Sequence, residues 1–182
     1  MTTGKTDNGR AIKRNILVVF GTLHALAHAL WFGGVIAIGA LVAPAIAHVL
    51  HHPPPQLNPD ILKTTLTTGI IGEALRHFNI VCYVCGVLMI VASLTEATVV
   101  PGGVAKTLTL ARAAIAAVLL ATAFYLGMVL TTHMDALLAA RNMAMFDDLH
   151  KQYENIVILG QTPLLLIVPL LTALRNDRTS IA

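Results

Sequence analysis

Apolar positions along this chain gather into four long runs, and most charges fall in the short stretches between them. Residues 16–44, 70–98, 108–131 and 156–174 each supply the ~20 residues that a helix needs to cross a ~30 Å hydrocarbon layer. The first run is the cleanest, since no Asp, Glu, Lys or Arg occurs from position 16 to 50. A spanning segment must satisfy its own backbone, which helices do. The pattern therefore predicts an all-α integral membrane protein, a single four-transmembrane-helix bundle.

The breaks are legible too. Residues 1–14 form a polar N-terminal tail. "HHPPPQLNPD", residues 51–60, is a Pro-rich outer loop, because four prolines remove donors and fix φ. "PGG" at 101–103 is a tight turn. The mixed stretch 133–155 reads as a short amphipathic helix or a helical extension into the last span. A secretory apolar core is about 7–15 residues, so the first run is too long for a signal peptide and is read as a retained span.

Composition sharpens this picture. The 182 residues are 56% hydrophobic and only 12% charged, against about 25% charged in soluble domains. The net charge of +3 is scattered around the runs, which excludes nucleic acid as a partner and makes the basic residues topology signals. Lys5, Arg10, Lys13, Arg14, Lys106, Arg112, Arg175 and Arg178 fall on one side; Lys63, Arg76, Arg141 and Lys151 fall on the other. The richer side is cytoplasmic by this rule, so both termini are expected inside, in a multi-pass protein of a bacterial inner membrane. Beyond the lipid bilayer, the partners expected are a second copy or a larger membrane complex.

Candidate chemistry lies mostly in imidazoles and sulfurs. His48, His51, His52, His133 and His150 fall on the outer side with Asp60, Asp135, Asp147, Asp148 and Glu154. That set suits a divalent cation, or is simply a solvated loop surface. In the first run, Gly21, Ala25, Ala29, Gly33 and Ala37 recur every four residues and predict a tightly packed seam. His24 and His28 flank it on one face. They would ligate a b-type haem, hold a metal or relay protons, or hydrogen-bond a neighbouring helix. Trp31 would pack in the core or wall a cofactor pocket. In the second run, Glu73, Arg76 and His77 make local pairs near the outer headgroups, with His77 able to turn inward. Cys82, Cys85 and Met89 share a helical stripe of soft donors suited to copper(I), or pack as apolar residues. Ala113, Ala117 and Ala121 in the third run would meet the first helix's small seam, and Met128 adds a further sulfur. In the fourth, Pro163 and Pro169 should kink the helix beside Gln161.

"HALAHALWFGGVIAIGALVAPAI" and "FDDLHKQYENIVIL" together resemble the transmembrane-protein-205-like family. The matching positions are His24 or His28, Trp31, Phe32, Gly33, Gly34, Ala43 and Pro44, then Phe146, Leu149, His150 and Asn155. W-x-G-G beside a histidine is also similar to the copper-resistance D membrane family. The resemblance implies a four-helix integral membrane protein without an established chemical activity.

No phosphate-binding loop, nucleophile elbow or H-E-x-x-H pair occurs, so soluble-type enzymology has no support. The leading expectation is a bundle that binds or translocates a transition-metal ion such as copper. His77, His133 and His150 would attract it, and His28 with Cys82, Cys85 and Met89 would receive it. The alternatives are a b-type haem or quinone-linked redox subunit using His24, His28 or His77, and a structural accessory subunit.

Overall fold

The four apolar runs become four helical rods. The computed structural model describes residues 4–54, 58, 62 and 65–180, with all their side chains except those of 4–8, 67–68 and 178–180. The first rod comprises α1 (Gly4–Ile36) and α2 (Ala43–His51). The second is α3 (Gly72–Val99), the third α4 (Val104–Phe124) and α5 (Thr131–Ala139), the fourth α6 (Met143–Asn155) and α7 (Thr162–Ser180). No strand occurs among the described residues. Four stretches, Gly9–His51, Gly69–Val99, Val104–Ala139 and Met143–Asp177, are long and apolar enough to cross a membrane. They outrun the apolar runs at most ends, because the polar flanks hold good helix formers and nothing there breaks the helix. Even the polar N-terminal stretch is helical from Gly4.

Each rod widens once, into a π-helical segment: Ala37–Val42, Thr65–Ile71, Tyr125–Leu130 and Ile156–Gln161. Two of these are tied off by a threonine that reaches five residues back. Thr131 Oγ1 donates to the Leu126 carbonyl at 2.9 Å, and Thr162 Oγ1 to the Val157 carbonyl at 2.9 Å. The wide turns also accommodate proline. Pro44 and Pro163 each stand just past one, where the carbonyl four residues back is displaced from the ring. Hence the first rod does not stop at Pro44, as the sequence suggests, but runs on to His51.

The rods alternate in direction. Residues 21, 96, 112 and 175 meet at the end that carries both termini, here the terminal end; the other is the distal end. The second rod packs along both the first and the third, and the third along the fourth, while the first and fourth touch sparingly. Trp31, Cys85, Met89, Leu119, Leu165 and Val168 fill the middle; Leu126, Leu130, Met134 and Tyr153 form a smaller distal cluster. Tyr83 stacks on Phe124 at a centroid distance of 4.3 Å. A Cβ on Gly34 would collide with the Phe78 ring, so that glycine is what lets the first and second rods close.

Most of the expected small-residue seam is not where the rods meet, although Gly21 at its start does back onto the second rod. Ala25, Ala29 and Gly33 are exposed, and a Cβ at Gly33 would touch nothing. The packed face is offset, through His24, Ala27 and Trp31, because the large Trp31 claims the core. Ala117 and Ala121 likewise face outward, and the third rod's neighbours are the second and fourth.

Connections follow local chemistry. Gly103, at φ 81°, turns the chain after Pro101. Arg141, at φ 55°, ends the third rod. Asn142 then caps α6, its Oδ1 accepting from Met145 N at 3.3 Å. Half of the Pro-rich 51–60 loop, with Asp60, and also Lys63, lie outside the described residues.

Candidate functional site

Two polar regions occupy opposite ends of the bundle. At the terminal end sits Glu96, the only acidic residue between positions 74 and 134, and fully buried. Its Oε2 accepts from Arg112 Nη1 at 3.1 Å and also from Arg175 Nη1. One carboxylate from α3 thus binds arginines from α4 and α7. The first rod joins through an absence: a Cβ at Gly21 would lie 3.2 Å from Glu96 Oε1. One turn on, His24 is 2% exposed and feels the charges of Arg112 and Arg175. Glu96 Oε1, Arg112 Nε, Ser93 Oγ and His24 Nε2 have no protein partner. Arg112 and Arg175, expected as topology charges at the cytoplasmic surface, are instead 1% and 8% exposed. A buried arginine needs a partner, and Glu96 supplies it. The sequence reading missed Glu96. The signal was a lone acid at the end of an apolar run.

At the distal end a cavity of about 280 Å³ opens between all four rods. Every wide turn contributes to its wall, through Gly39, Ile71, Leu126 and Gln161 in chain order. Wide turns are frequent at functional sites, where they set side chains out of helical register. The lining is mainly aliphatic and aromatic, and includes no Lys or Arg. Its buried polar groups are few. Gln161 Nε2 donates to Thr122 Oγ1 at 3.1 Å, a bond across to the third rod instead of to backbone freed by Pro163. Asn79, 6% exposed, stands beside Tyr153 in the wall, and its Nδ2 is fully covered with no hydrogen bond of good geometry. A Cβ at Gly127 would fall 3.0 Å from that same Nδ2, so the glycine makes room for the amide. His150 and Glu154 stand at the cavity's edge, 3.3 Å apart. Two other depressions, beside Asp148 and Gln152 and between Leu26 and Val84, contain no such unpaired buried atom.

Between the two regions His28 has a definite task. Its Nε2–H donates to the Leu165 carbonyl at 2.7 Å. That carbonyl would ordinarily accept from the residue four positions on, which is Pro169 and has no N–H. His28 therefore supplies the donor that proline withholds, and it ties the first rod to the fourth.

The remaining candidate residues are dispersed. Cys82, Cys85 and Met89 do share one buried stripe, both thiols are free, and Cys82 reaches the cavity wall. His77 turns outward with its side chain 79% exposed, held by a 2.9 Å bond between Nδ1 and the Glu73 carbonyl. The neighbouring Arg76 pairs with Glu73 at 3.0 Å and Asp135 at 2.8 Å. His133 is exposed, His150 stacks on Phe146, the His48 ring meets that of His52 at a tilt, and Met128 faces outward. Among the described residues no three His, Cys, Asp or Glu side chains converge on one point. His24, His28 and His77 do not surround a common space either: His24 is buried at the terminal end and His77 exposed at the distal one. No protein-family model, no curated protein and no solved structure matches this chain.

Proposed function

We propose that this chain is a multi-pass protein of a bacterial inner membrane, termini cytoplasmic, that holds a small molecule drawn from the bilayer in its distal cavity. The observation that carries this is the convergence of four wide turns on one mainly apolar cavity between all four rods. Small-molecule sites are mostly apolar with a few placed polar groups, which describes this lining. The Glu96 cluster then serves as the fixed base against which the distal end stays open. The likeness to the transmembrane-protein-205-like family is in keeping with a binding role without enzymatic machinery. Native mass spectrometry of protein purified in mild detergent tests the proposal. A small-molecule adduct is expected on the wild type and not on Ala123→Leu, which fills the cavity. A bare wild type, or an adduct that survives the filling, would refute it.

A second reading keeps a soft metal ion, because Cys82 lines the cavity, with Cys85 and Met89 deeper on the same stripe and His150 at the edge. Metal analysis separates the two readings. Copper lost on joint Cys82→Ser and Cys85→Ser replacement supports the metal; copper-free wild type removes it.

A further inference from the structure

We infer that His48 and His52, at the distal end of the first rod, form a two-histidine site for a divalent d-block cation, copper(II) foremost. The site stands apart from the distal cavity and depends on neither reading of it.

Spacing comes first. Residues four apart on a helix stand on one face, one above the other. His48 lies in the last turn of α2, and His52 caps that helix. Their ring centroids are 4.8 Å apart, with an angle of 31° between the ring planes. Both residues are exposed, so an ion reaches them without opening the bundle.

The donor atom comes next. A metal takes the lone pair of a neutral imidazole, so one ring nitrogen must be bare while the other keeps its proton. His52 Nδ1 lies 3.3 Å from the His48 carbonyl. A carbonyl only accepts, so Nδ1 carries the proton and Nε2 keeps its lone pair. Bonds of this kind fix the ring and tautomer of metal-ligating histidines. His77 Nδ1 makes the same bond to the Glu73 carbonyl, but the carboxylate beside it is held by Arg76. His28 Nε2 is spent on the Leu165 carbonyl, and His150 Nε2 is paired with Glu154.

Charge favours the same place. The last carbonyls of a helix carry partial negative charge and attract a cation. No Lys or Arg occurs from position 15 to 62, so the neighbouring sequence supplies no competing cation. Imidazole suits zinc, nickel and copper, and copper(II) binds tightest among the divalent first-row ions. Water completes the coordination.

The experiment uses the full chain in mild detergent, purified without a histidine tag and titrated with copper(II) sulfate. Calorimetry reads affinity, and electron paramagnetic resonance reads the nitrogen ligands. One equivalent is expected, with the signature of two nitrogens. His48→Ala and His52→Ala should each weaken binding about tenfold or more, because a chelate becomes a single ligand. His51→Ala leaves the pair intact and should bind as wild type does. His48→Ala combined with Leu50→His keeps the number of imidazoles but sets two of them two residues apart, and should not restore affinity. Joint Cys82→Ser and Cys85→Ser replacement, and Ala123→Leu, should each leave copper(II) binding unchanged. A wild type that binds no copper(II), equal affinity in the His48 and His52 variants, recovery in the Leu50→His variant, or loss with the cysteines would each overturn the inference. A cavity without its adduct, with copper(II) still bound, would refute the cavity reading and leave this site standing.

Discussion

The terminal end of this bundle closes on a carboxylate, while the distal end stays open around an amide. Both regions bury polar groups in apolar surroundings, and they do it in opposite ways. Around Glu96, the second, third and fourth rods contribute charged side chains and the first contributes a glycine, so the helices are drawn together. Around Asn79 every rod departs from the ordinary helical pitch, and the helices are held apart. A charge cannot remain buried without a counter-charge, so the terminal cluster must be compact. A neutral amide needs no counter-charge, so the distal end can stay open. The lesson is that net charge, more than polarity, decides which end of this bundle is rigid.

The contrast can be broken by mutation. Glu96→Gln should have the largest effect, about 3–5 kcal/mol, because it leaves two buried arginines facing a neutral group. Loss of a cooperative thermal transition in detergent would show it; a melting curve like wild type's would mean that the cluster is not what holds that end. Gly21→Ala comes next, at about 1–3 kcal/mol, since its Cβ presses on the carboxylate. Equilibrium unfolding in mixed micelles measures that, and a stabilised variant would place the first rod elsewhere. His28→Leu should cost about 1 kcal/mol by freeing the Leu165 carbonyl. The cost should vanish when Pro169→Ala restores the N–H, a double-mutant cycle with a defined sign. Ala123→Leu is expected to hold stability or raise it by up to about 1 kcal/mol while eliminating the ligand. His77→Ala, outward and solvent-facing, should leave both melting and binding unchanged.

The four rods were legible because each apolar run is long enough to cross a hydrocarbon layer, a length that nothing else in the chain imitates. Their ends were less so: Pro44 looks like a stop, and only the wide turn before it explains why the helix continues. The face of each rod was harder still. A row of small residues at spacing four signals close approach, yet Trp31 rotates the first rod so that Ala25, Ala29 and Gly33 point away. Of the candidate site, Cys82 and His150 do border the cavity. Asn79, Gln161 and Tyr153 define its polarity, and an amide or phenol in an apolar run carries no spacing signature. His28 illustrates the limit well. Its reason for standing in an apolar run is Pro169, which lies 141 positions away in the chain and adjacent in the fold.

Gly34, which admits the Phe78 ring, has a consequence for assembly. In lipid, one oily helix surface attracts another no better than the solvent does. Two smooth rods would slide past each other with little penalty, and many alignments would be nearly degenerate. A socket that accepts a single aromatic plug removes that freedom. Shifted by a turn in either direction, Phe78 would meet Leu30 or Ile38 in place of bare backbone. The missing side chain at Gly34 thus works as an indexing notch, selecting one alignment of the first two rods.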